Sequence, residues 1–311
     1  MLSSRVPAEG IHLTALREAL ALPQLDTPVR RRILRREDGA KLGAILVDLP
    51  YFDRFVGEVV RYLLRRPPQP SPWGIRLHEG GAVELLTGLL HVARAQRDET
   101  LGAIALGLAS HLAMDRALHP LINALARRHK GGPDHGASHR EVEKYQSICF
   151  HERYFGKDLM GTPRLAHYLT LHLAAHLDAD ALARPLRDAF SLAFASAPAS
   201  DELAGFGRGY GQHVRLLGSP IGRRIAPEAD KEQARPLYLH GAWGTFEALL
   251  ADAVAASVPV INAAGAVLDA DDTCATAAFA ALARVLPSGT IDPDGDDVSL
   301  ESPFAVALPR A

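Results

Sequence analysis

Residues 101–119 form an apolar run interrupted every four residues by His111, Asp115 and His119. On an α-helix, positions four apart lie one above the other, so these three side chains make a ladder along one face. A carboxylate among Leu, Ala, Ile and Met is costly to bury unless it is paired or coordinates a cation. His139 and Glu143 repeat the same spacing one element later. Helical His/carboxylate pairs of this kind are how a helix bundle builds a di-metal centre in its core. His111 and His119 lie about 12 Å apart along the axis at 1.5 Å rise per residue, too far to share one zinc ion. Two metals, with Asp115 on one and reaching towards the other, fit that geometry, and a metal-free hydrogen-bonded His–Asp–His ladder is the alternative.

The rest of the chain agrees with a helical host. Aromatic residues are few, alternating β-branched runs are nearly absent, and Ala and Leu recur at helical spacing, so the expected fold class is all-α. The chain has 311 residues, 48% of them hydrophobic and 23% charged, which suits a globular protein with a sizeable core. A net charge of −2 gives no general attraction to nucleic acid or anionic membranes, and no stable nucleic-acid complex is expected. Cys149 and Cys274 form neither a disulfide framework nor a CxxC signature and read as buried thiols. The first ten residues lack a signal-peptide pattern. The stretch Ala253–Leu268 falls short of the roughly 20 residues of a membrane span, and Pro259 should break it into two core helices. A cytoplasmic protein without a transmembrane segment is the expectation.

Punctuation predicts the elements. Ile11–Leu22 ends at Pro23; Asp26 or Thr27 caps a second helix with Pro28 in its first turn. An apolar segment at Leu42–Leu49 and an amphipathic helix at Phe52–Leu64 precede a stiff, proline-rich loop at 66–72. Two long helices follow, Gly74–Ala95 and Thr100–His119, with a kink or a fresh helix at Pro120. Ser138 should cap the helix bearing His139 and Glu143. Further helices are expected at 139–155, 163–178, 180–196, 201–217, 228–255 and 272–285. One helical domain over 1–286 and a loosely held acidic tail over 287–311 is the predicted organisation.

The ordered set of His and acidic residues resembles the zinc-dependent phospholipase C family, which shares its fold with zinc-dependent single-strand nucleases. The similarity runs through His12 in Gly-Ile-His-Leu-Thr-Ala-Leu, Asp48 in Leu-Gly-Ala-Ile-Leu-Val-Asp-Leu-Pro-Tyr and His78 in Ile-Arg-Leu-His-Glu-Gly-Gly. It continues through His111, Asp115 and His119 to His139 and Glu143, covering roughly residues 8–155. The resemblance implies that Asp48, His78, His111 and Asp115 surround one zinc and that His119, His139 and Glu143 hold a second. A third would sit near His12 and Asp115. Secreted members complete that third site with an N-terminal tryptophan, whereas the tryptophans here are Trp73 and Trp243.

The chemistry implied is hydrolysis of a phosphodiester, a phospholipid among the candidates, by zinc-bound hydroxide, with a second zinc clamping a phosphoryl oxygen. Asp48 is the catalytic candidate, as ligand or as general base. The alternatives are a non-catalytic protein stabilised by zinc and a nuclease-like hydrolase. His135 competes with His139 as ligand. His172 and His176 read as surface or core residues, and lone histidines such as His91, His167 and His240 as core residues. The basic run Arg30–Arg36 reads as a solvated helix face, with an anionic lipid or phosphate contact as the alternative. The acidic run from Asp292 to Asp297 lacks the closing Glu of a calcium loop and reads as tail.

Overall fold

In a computed structural model, the structure describes residues 9–130, 135–241 and 244–290. Fourteen α-helices occupy these residues: α1 (Glu9–Ala21), α2 (Thr27–Arg35), α3 (Glu37–Gly43), α4 (Phe55–Leu63), α5 (Pro72–Arg76), α6 (Ala82–Gln96), α7 (Glu99–Lys130), α8 (His135–Phe155), α9 (Pro163–Leu169), α10 (Asp180–Phe194), α11 (Ser200–Leu217), α12 (Glu228–Tyr238), α13 (Phe246–Asp269) and α14 (Ala275–Val285). The only strands among them pair His240–Gly241 with Gly244–Thr245 in a small antiparallel ribbon. The fold is all-α in every other respect.

Helix α7 is the axis of the bundle. A helix that is apolar all round must be covered all round, and every residue from Leu101 to Asp115 is buried. Helices α1, α3, α6, α8 and α13 supply that cover. The α3 crossing is closest, because a Cβ placed on Gly43 would lie 1.9 Å from the Ile104 carbonyl oxygen, and one on Gly107 1.9 Å from that of Ala40.

Neither Pro120 nor Pro259 starts a separate helix. Helix α7 continues through Pro120, and α13 runs from Phe246 to Asp269 through Pro259. In each case the carbonyl that loses its donor is four residues back, at Arg116 or Ala255. Arg116 and Pro120 lie on a half-exposed flank, and Ala255 and Pro259 are exposed, so water can satisfy the freed groups. Other boundaries shift for local reasons. The expected helix from Gly74 to Ala95 is split by a π turn at Leu77–Gly81, where Gly80 adopts φ 127°. The expected helix over 163–178 stops at Leu169, where the Thr170 hydroxyl donates to the Ala166 carbonyl and the backbone turns extended. The expected helix over 228–255 is divided by the ribbon, and the Thr245 hydroxyl caps α13 by accepting from the Ala248 amide. Helix α8 begins at His135, ahead of the expected cap at Ser138.

The Arg30–Arg36 run is tied down as a structural face. Arg30 donates to the carbonyls of Leu22 and Leu25, Arg32 pairs with Asp269 at 2.7 Å, and Arg36 with Glu99 at 3.4 Å. Cys149 is buried as expected, whereas Cys274 is exposed. Two segments, Glu99–Arg127 and Phe246–Asp269, are long and apolar enough to be membrane-span candidates by composition. Their most apolar windows are 89% and 56% buried inside the bundle, the pattern of core helices. The acidic run at 292–297 lies outside the described residues. The start of the expected tail packs on the body: Thr290 donates to the His78 carbonyl and Arg116 to the Gly289 carbonyl.

Candidate metal centre

Asp115 sits at the middle of the ladder and is almost wholly buried. One of its oxygens, Oδ2, is 2.9 Å from His111 Nε2, one turn back. The other, Oδ1, faces His12 Nε2 of α1 at 3.3 Å and His119 Nε2 at 3.6 Å. One turn further, His119 Nε2 is 3.3 Å from Glu143 Oε1, and His139 Nε2 is 3.3 Å from the same oxygen. Two groups of candidate donor atoms meet here, each with all its atoms within 4.8 Å of one another: His12, His111 and Asp115, and His119, His139 and Glu143. Asp115 links the two.

Asp48 and His78 form an adjoining pair, with His78 Nε2 3.3 Å from Asp48 Oδ1. They belong to neither triplet, although Asp48 lies close enough to feel the charges of His111 and His12, and His12 lies beside Asp115 as the resemblance implies for its third site. Each is about one-fifth exposed, unlike the buried ladder. Asp48 precedes the 3₁₀ turn Leu49–Phe52, and His78 rides on the π turn that holds it against Asp48.

The outward-facing ring nitrogens show how the histidines are set. His111 Nδ1 donates to the Ala44 carbonyl at 2.8 Å and His78 Nδ1 to the Gly74 carbonyl at 2.9 Å. His139 Nδ1 donates to Asn123 Oδ1 at 2.6 Å. A neutral imidazole that donates from Nδ1 presents a lone pair at Nε2, and all three Nε2 atoms face carboxylate oxygens. Lone pairs against carboxylates repel unless a proton or a cation lies between them. The buried His111 Nε2 lacks hydrogen-bond geometry to any acceptor, and so does His12 Nδ1. An Nδ1-anchored ring with Nε2 aimed at acidic groups is the arrangement by which proteins orient metal-ligating histidines. The donor set of His nitrogens and carboxylate oxygens suits zinc.

Without a cation, the cluster polarises its own protons. Burial would lower His111, but the Asp115 carboxylate overrides it and raises the imidazole to about 9. Burial and the neighbouring His111 charge lower His12, stacked on His111 with ring centroids 3.9 Å apart, to about 4. Burial works upward on Asp115 and Glu143, yet the surrounding histidines hold both well below the usual carboxylate range. Asp48 is lowered too: against burial, the His78 hydrogen bond and the charges of His111, His78 and His12 prevail.

A small pocket opens onto both groups. His12, Asp115, His119 and Glu143 make its polar wall; Ile11, Leu118, Ile122 and Phe246 make its apolar one.

Several expected residues lie elsewhere. His172 and His176 are exposed, as are His91 and His167, so the last two are surface rather than core residues. His91 stacks on Phe279 at 4.1 Å. The side chains of His135 and His240 lie outside the described residues. Asn123, which orients His139, extends the ladder by one more step of four after His119, a signal hidden by the expected break at Pro120. Glu9 is a second residue without an expectation. Burial and the Asp48 charge push its carboxyl up to about 8, and it faces His213 Nε2 at 3.8 Å.

No family model matches the chain, and no curated protein and no solved structure is detectably similar to it.

Proposed function

We propose that this protein is a zinc-dependent phosphodiester hydrolase of the phospholipase C type, with two metals held by the residues around Asp115. The observation that carries the proposal is the set of Nδ1-anchored histidines whose Nε2 atoms converge on shared carboxylates. His12, His111 and Asp115 would hold one zinc; His119, His139 and Glu143 would hold the other. Zinc bound there acidifies water and neutralises phosphoryl charge.

The chain's own residues do the remainder. Asp115 places one carboxylate between both groups, keeping their positive charges apart yet compensated. Ala44 and Asn123 fix the ring planes, so the donors are oriented before a ligand arrives. Asp48 is the carboxylate of the cluster closest to solvent that carries no share of either triplet, and its lowered pKa leaves it ionised. That suits it to orient a water or accept its proton beside the metals. Ile11, Leu118, Ile122 and Phe246 line the opposite wall and limit bulk water.

Chelator-sensitive hydrolysis of bis(p-nitrophenyl) phosphate or a short-chain phosphatidylcholine tests the proposal. Asp48→Asn is expected to keep its zinc and lose at least ~100-fold in rate, the usual contribution of general acid–base catalysis. A wild type that binds zinc fully and turns over no faster than Asp48→Asn would point instead to a metal that only stabilises the fold.

A further inference from the structure

Helix α4 and the turn that follows it carry an apolar stripe on their solvent side. Val56, Val60, Leu63 and Leu64 recur at helical spacing and are 47–66% exposed. The opposite side is already used: Phe55 is buried against the His213 ring, and Val59 packs on the core. The loop after α4 folds back along the polar flank, where Arg61 Nε donates to the Pro67 carbonyl and the Gln69 amide donates to Glu58. Among the described residues, that arrangement leaves the stripe uncovered. Arginines lie at both ends, Arg54 before the helix and Arg65 and Arg66 just after it. Arg54 neighbours Asp53 at 3.6 Å and is 84% exposed, while Arg65 and Arg66 are exposed and pair with no carboxylate among the described residues.

We propose that α4 is a membrane-docking helix, which seats Val56, Val60, Leu63 and Leu64 in the acyl boundary of an anionic phospholipid surface while Arg54, Arg65 and Arg66 bind lipid phosphates. An apolar arc bordered by basic residues is what an interfacial helix requires, and arginine meets phosphate with a planar, multi-donor head. Charge argues against a second copy as occupant. A two-fold contact would press α4 against itself and bring arginine-rich ends together, whereas anionic headgroups neutralise them. The docking stands on exposure and charge and does not depend on zinc. One consequence rests on the phosphodiesterase reading: docking through α4 would keep a phospholipid-hydrolysing protein at the surface that carries its substrate.

Co-sedimentation of the full chain with phosphatidylcholine vesicles, with and without phosphatidylserine, tests the docking, in zinc and again in EDTA. The wild type should bind the phosphatidylserine vesicles in both conditions and release them as salt rises. Val60→Asp/Leu63→Asp should bind about tenfold more weakly or worse with an unchanged melting temperature, because both side chains are exposed. Arg65→Glu/Arg66→Glu should lose the preference for anionic vesicles. A wild type that stays in the supernatant with both vesicle types would overturn the proposal. So would an α4 double variant that binds undiminished. A wild-type dimer in light scattering that Val60→Asp/Leu63→Asp splits would overturn it in favour of a second copy. Vesicle binding without turnover would overturn only the hydrolase reading, and turnover without binding only the docking.

Discussion

Asp115 divides its two oxygens between His111 on one side and His12 and His119 on the other, and that division shapes the whole cluster. His111 takes up a proton easily because the buried Asp115 carboxylate beside it is not screened by water. Its imidazole therefore remains protonated up to about pH 9 in the metal-free protein. A zinc ion must displace this proton, so affinity should rise with pH until His111 deprotonates unaided. The expected slope is about a tenfold fall in Kd per pH unit from 7 towards 9, the linkage of one released proton. Calorimetry in buffers of different ionisation enthalpy checks it, and a Kd flat over that range would show that metal binding displaces no proton from His111. At this scale much of the site was legible: His111, Asp115, His119, His139 and Glu143 announce themselves because helical spacing alone puts them on common faces. The position of His12 beside His111, ahead of Asp48 and His78, was not, since it depends on how α1 crosses α7. Asn123 was within reach, being the next rung of the same ladder.

The elements that hold these residues meet at unusually short range. Gly43 and Gly107 let the α3 and α7 backbones touch, and the carbonyl of Ala44, next in sequence after Gly43, anchors His111. Gly43→Ala would drive a methyl into the Ile104 carbonyl, which only separation of the helices can relieve. The expected cost is about 1–3 kcal/mol in chemical denaturation, typical of overpacking, together with weaker zinc binding as Ala44 moves off His111. Loss of stability with zinc affinity unchanged would mean that Ala44 does not position the ring. Helix existence was easy to read in the sequence; helix ends were not. Pro120 and Pro259 sit on flanks open to water and so fail to stop α7 and α13. Thr170 does end a helix, although nothing around it looks like a breaker until its hydroxyl is seen bonded to Ala166. Gly80 and the π turn it permits are equally hidden, yet they set the direction of His78.

For the molecule as a whole, a bundle built round one apolar helix needs a reason to bury a ladder of ionisable groups there. Hydrophobic side chains of the same size would pack α7 against α1 and α8 without the cost of desolvating Asp115 and Glu143. On the proposed reading, a cation shared by those groups would supply the reason, because metal binding to the folded state alone adds directly to its stability. Zinc content measured together with melting temperature tests this most directly. Protein purified without chelator should carry about two zinc ions per chain, and stripping them should lower the melting temperature reversibly, with zinc restoring it. Less than half an equivalent of metal, with no rise in melting temperature on adding zinc, would contradict the account and leave the cluster a proton-sharing ladder.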